Sequence, residues 1–178
     1  EWFDLPRPKL MAETLLAASS SATTSSQHKA IGSAVLSVVD AVADVDEYEL
    51  ALDLCETARS SARRTKQFAL TKDLTTTIEA IEKRKKAFQE YKDASHVLDK
   101  DPTDMAANLA VGRYQCFVRG NWESGVAKLA LSGDATLKTV AMKDLRGGDT
   151  PQEQAEIGDA WWDLAETKQG SERDILRL

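Results

Sequence analysis

Thirty-three consecutive residues, from Lys66 to Leu98, contain neither glycine nor proline. Leu70, Leu74, Ile78, Ile81, Phe88, Tyr91 and Leu98 recur along them at steps that keep returning to one side of an α-helix, with Lys85 interrupting the line. A strand seldom exceeds about ten residues and alternates with period two, so a run of this length has only a helical solution. It forms one long helix, or two with a bend where Thr75-Thr76-Thr77 places three β-branched residues in a row. A sheet protein has no place for such a segment.

The remaining pattern agrees. A helix is expected at about 8–18, with Leu10, Met11, Leu15 and Leu16 on one side, followed by a Ser/Thr-rich loop at 19–26 in which Ser25 or Ser26 caps the next helix. Ile31, Val35, Val38, Val42 and Val45 line one face of that helix, and Asp46 is expected to break it and cap its successor. In the third helix Tyr48, Ala51, Cys55, Ala58 and Ala62 share a stripe, with Leu50 and Leu54 beside it. Segments 27–44 and 47–62 are joined too tightly to be other than an antiparallel hairpin. Asp101-Pro102 punctuates the chain, the proline fitting a first helical turn and the aspartate capping it. Residues 99–104 are therefore taken to separate an N-terminal part, 1–100, from a C-terminal subdomain, 101–178. Beyond it, helices are expected at 105–118, 122–131, 134–146 and 151–168, with Leu137, Val140, Ala141 and Leu145 on the third and Thr150-Pro151-Gln152-Glu153 as a capping box opening the last. The short opening Trp2-Phe3-Asp4-Leu5-Pro6 reads as a packed arm.

The fold class expected is all-α: stacked antiparallel helix hairpins with irregular C-terminal helices. At 42% hydrophobic and 29% charged residues, the chain is neither a disordered tail nor a collagen-like fibre. Twenty-three Lys and Arg against 29 Asp and Glu argue against general nucleic-acid binding, and no apolar run is long enough to span a bilayer. The first residue is Glu, and the chain is expected to be a piece of a longer protein. Cys55 and Cys116 stand outside any CxxC or Cys/His cluster, so they are read as small buried hydrophobes, a single disulfide being the alternative.

Two helix-turn-helix units of about thirty residues, 27–62 and 103–132, resemble tetratricopeptide repeats. In the second, Leu109, Gly112, Gly120, Trp122, Gly125 and Leu129 fall near the repeat's positions, with Cys116 where the signature has a tyrosine; in the first, Asp46-Glu47-Tyr48-Glu49-Leu50-Ala51-Leu52 resembles the entry to the second helix. The words Asn108-Leu109-Ala110-Val111-Gly112-Arg113-Tyr114-Gln115-Cys116-Phe117, Gly120-Asn121-Trp122-Glu123 and Gly158-Asp159-Ala160-Trp161-Trp162-Asp163-Leu164-Ala165-Glu166 make 10–168 similar to an uncharacterised helical region of large multidomain planctomycete proteins. That resemblance implies a module beside lectin-like, carbohydrate-associated or kinase domains and supplies no catalytic residue. The family continues past this point, so 171–178 is expected to be frayed or truncated.

Three constellations stand out. Glu156, Asp159, Asp163 and Glu166 form a carboxylate stripe, read as a solvated face rather than a cation site, with Arg113 a candidate to lie over it. Trp122, Trp161 and Trp162 suggest either an aromatic platform for a sugar or, preferably, core packing, with Gly158 admitting a neighbouring helix. Nine cations over 59–86 face Asp73, Glu79 and Glu82 and are read as a solvated surface rather than an anionic docking face. His28 and His96 carry no motif. No catalytic residue, metal ligand or cofactor is assigned. The binding or packing candidates are Arg113, Tyr114, Trp122, Asp159, Trp161, Trp162 and Asp163, and the expected partner is a protein, a peptide or another domain of the same chain.

Overall fold

The computed structural model describes residues 7–168 together with Arg173 and Leu176. The arm expected at 2–6 lies outside these residues, as does the tail at 171–178 apart from Arg173 and Leu176. The fold is all-α. Eight helices and no strand occur among the described residues: α1 Arg7–Ser21, α2 Ser25–Asp44, α3 Tyr48–Arg64, α4 Phe68–Leu98, α5 Met105–Phe117, α6 Trp122–Ala130, α7 Ala135–Arg146 and α8 Pro151–Glu166. The chain divides into two compact units, Glu1–Lys86 and Ala87–Leu178, with the division inside α4. The turn at 99–104 lies within the second unit.

In the first unit α2 and α3 form the expected hairpin, and α1 packs on both. Val35, Val38, Val39 and Val42 of α2 and Tyr48, Ala51, Leu54, Cys55, Ala58 and Ala62 of α3 are buried, joined by Leu74, Ile78 and Ile81 of α4. Each large apolar side chain buried this way contributes about 1.5–3 kcal/mol, which holds the valine-rich α2 against its modest intrinsic propensity. Val45 is not part of that face: it is the half-in residue past the end of α2, and it is exposed.

Helix ends are where the fold departs most from expectation. The Ser/Thr run does not begin as a loop at Ser19. The hydroxyls of Thr14, Ser19, Ser20 and Ser21 donate to carbonyls three or four residues back, and α1 continues to Ser21. The cap of α2 is Thr24 rather than Ser25 or Ser26, in a reciprocal box with Gln27. The inward stripe of α1 passes through Ala12, Leu15 and Leu16, which turns Leu10 and Met11 outward. Asp46 breaks α2, but the N-cap position of α3 is Glu47. Asp46 takes a left-handed φ of 63°, its N–H donating to Ala43 O and that of Glu47 to Val42 O, which closes the helix from behind. Lys66 does the same after α3, with φ 56° and bonds from Lys66 N to Arg63 O and Gln67 N to Ala62 O. Both positions usually hold glycine.

α4 runs unbroken for 31 residues through the three threonines, whose crowding is relieved as Thr75 and Thr77 donate back to Thr71 O and Asp73 O. In the second unit Asp104, not Asp101, caps α5, accepting from Ala107 N, while Asp101 accepts from Thr103 N and Oγ1 in the preceding turn. Asp134 caps α7 and the Thr150–Glu153 box opens α8 as expected. Leu145 lies on the outer side of α7's last turn and is exposed.

Candidate functional site

The candidate residues all lie in the second unit, and their geometry begins with two glycines. A Cβ on Gly112 would sit 2.9 Å from the backbone N of Leu129, and one on Gly125 would sit 2.9 Å from the backbone N of Cys116. α5 and α6 therefore touch backbone to backbone at both points, a separation only glycine permits. Cys116 is pinned there, and burial pushes its thiol up to about 12, with Asp144 adding to the rise. Cys55 is likewise pushed to about 12, by burial first and then by Asp40 and Glu56. Both cysteines are free and buried, so no disulfide joins them.

Close helix approach sends the large side chains sideways into an aromatic network. Trp122 meets Phe117 edge-on at 5.9 Å and Trp161 edge-on at 5.3 Å between ring centres. The indole N–H of Trp161 donates to Asp144 Oδ2 at 2.9 Å, which ties α8 to α7 and satisfies the one polar atom of a buried ring. Leu129, Leu137, Leu164 and Ala165 complete this core. Tyr114 is buried and stacks on Tyr91 at 4.4 Å, with Phe88 at 6.0 Å. Arg113 lies with its guanidinium 6.0 Å from the centre of Phe117.

The structure thus brings Tyr114, Trp122 and Trp161 into packing, and separates them from Trp162, Asp159 and Asp163. Trp162 is 49% exposed, and both aspartates face solvent, with no ion pair among the described residues. The two adjacent tryptophans therefore form no shared platform, because neighbouring positions on a helix differ by about 100°. Gly158 does not admit a neighbouring helix among the described residues: none of them lies within 4 Å of where its Cβ would be. Along the carboxylate stripe, Glu156 is met by Lys143, which donates to its backbone O at 2.8 Å and lies 3.9 Å from its carboxylate. No group of His, Cys, Asp or Glu suited to a metal ion occurs among the described residues.

Sequence reading passed over three residues. Asn108, fully buried, donates through Nδ2 to Pro102 O and Asp104 O and so fixes the 99–104 turn. A lone amide amid Ala106-Ala107 and Leu109-Ala110-Val111 was its signal. Asp144 has no sequence signal, since its partner is seventeen residues away. Phe68, an aromatic inside the basic run, is 79% exposed, where periodicity places no stripe residue. No family model, curated protein or solved structure matches the chain.

Proposed function

We propose that this chain is a non-catalytic helical scaffold or protein-interaction module, a tetratricopeptide-like set of hairpins serving a larger multidomain protein. The observation that carries the reading is the reciprocal contact of Gly112 with Leu129 and Gly125 with Cys116, because small residues at those two positions are what a repeat hairpin needs to stack closely. The similarity of 108–123 and 158–166 to a planctomycete helical region supports the same reading, as does the use of Tyr114, Trp122 and Trp161 as packing rather than as presented groups. Stacked hairpins offer extended surfaces to which peptides and neighbouring domains bind.

A second reading, an accessory domain for a ligand or carbohydrate, is favoured only by Trp162 with Asp159 and Asp163 on the open side of α8. One titration separates the two. A peptide library panned against the folded chain is expected to yield binders that shift amide resonances along a contiguous pair of helices. Sugar-dependent change confined to Trp162, with no peptide binders, overturns the first reading in favour of the second.

A further inference from the structure

We propose that the end of the first unit carrying the 22–24 and 65–67 turns is a docking tip for an anionic lipid surface. Gln67 Nε2 donates to Ser25 O, and Ser61 Oγ meets His28 Nδ1 at 2.5 Å, so the start of α2 and the end of α3 lie together. Residues 19–35 and 60–78, which build this end, carry Lys29, Arg63, Arg64, Lys66 and Lys72 against the single carboxylate of Asp73, in a chain whose net charge is −6. All five cations are exposed and, among the described residues, none is in an ion pair. Elsewhere in the basic run Arg59 pairs with Glu56, Arg84 with Asp40 and Asp44, and Lys85 with Glu49.

Phe68 stands among the free cations at the first position of α4, 79% exposed and directly after the turn held by Lys66. Beside the neighbouring turn, Ala18, Ser21, Ala22, Gln27, Ala30 and Ile31 line a shallow notch of about 330 Å³. A protruding apolar ring with exposed cations on its own and the adjoining segments needs no matching cavity in a bilayer, where the ring enters the acyl boundary and the cations stay at the headgroups. A nucleic-acid strand, by contrast, is gripped by aromatics set along a groove that tracks its phosphates. The acidic 44–49 segment lies at the far end of α3, about 25 Å away. That exceeds twice the ~10 Å screening length at 0.1 M salt, so the local charge governs.

Flotation of the full chain with vesicles tests this. At 0.1 M salt the protein is expected to float with phosphatidylcholine vesicles containing phosphatidylserine and not with phosphatidylcholine alone. Phe68→Ala is expected to lower the partition coefficient about tenfold, and Arg63→Gln with Arg64→Gln by about fivefold for each charge. Both changes are on exposed positions, and an unaltered circular dichroism melt verifies the fold. Failure to float, equal flotation with neutral vesicles, or a Phe68→Ala chain that binds like the parent each overturns the proposal. So does binding to RNA or heparin without binding to vesicles. None of these results bears on peptide capture by the hairpins.

Discussion

Adding one methyl group at Gly125 tests whether the backbone contact of α5 and α6 is the keystone of the second unit. An ideal Cβ there would lie 2.3 Å from Cys116 Sγ, 2.9 Å from Cys116 N and 3.1 Å from Gln115 Cβ, against the 3.4–4 Å of ordinary contact. The sulfur has little freedom to turn away in a close-packed interior, and the backbone nitrogen has none. The helices must part, which places the overpacking cost in the upper part of its usual range, about 2–3 kcal/mol. Alanine's better helix propensity returns about 1 kcal/mol of this. Gly158→Ala supplies the control, since it gains the propensity with nothing among the described residues within 4 Å to meet. Three of the four tryptophans belong to the second unit, so urea unfolding followed by intrinsic fluorescence reports on it. Gly125→Ala is expected to lose about 1–2 kcal/mol and Gly158→Ala to gain about 0.5–1 kcal/mol. Equal stability of Gly125→Ala and the parent chain would refute the argument.

Other consequences are as direct. Replacing Lys66 by glycine removes a left-handed side chain and is expected to raise the unfolding free energy by about 1 kcal/mol; a lower value contradicts the cap geometry. Both thiols are held protonated to about pH 12 by burial, whereas in the unfolded chain they ionise near 9. Their contribution is therefore complete below pH 9 and is lost as pH rises toward 12, so stability should fall over that window and fall less in Cys55→Ala with Cys116→Ala. A thiol reagent at pH 8 should label neither cysteine until urea unfolds the chain. Glu153 accepts from Thr150 N, Thr150 Oγ1 and Asp149 N, which lowers its carboxyl below the ordinary value. Thr150→Ala should raise that carboxyl by removing the hydroxyl donor, as read from a carboxyl NMR titration. Trp161→Phe removes the bond to Asp144 and should cost about 1–3 kcal/mol; an unchanged midpoint denies that bond a structural role.

The all-α class and most helices were legible because period and punctuation agree: the valines of α2, the alanine-rich stripe of α3 and the capping box of α8 each state their role locally. What escaped was set by tertiary context or by competing local bonds. Serine hydroxyls back-bonded to carbonyls carried α1 three residues past the point where composition suggests a loop. Two helix ends use Asp46 and Lys66 where a reader looks for glycine. In the candidate site, Gly112 and Gly125 stood among the repeat-like positions of the sequence, and both are points where α5 and α6 touch. The fate of Trp161 against Trp162 depended on where α7 lies, and no spacing within α8 contains that information. Leu10, Met11 and Leu145 show the same limit, since an apolar side chain faces inward only if a neighbour is there to receive it.

The crowding of Lys29, Arg63, Arg64, Lys66 and Lys72 onto one end of a bundle also bears on handling in the laboratory. A sequence pI of about 5.0 recommends an anion-exchange resin at neutral pH. Retention depends on the patch that meets the matrix, however, and averaged charge says little about it. The same polypeptide is expected to adhere to a sulfonate column in dilute buffer and to elute with modest salt, behaving toward a surface as a cation while migrating in a gel as an anion.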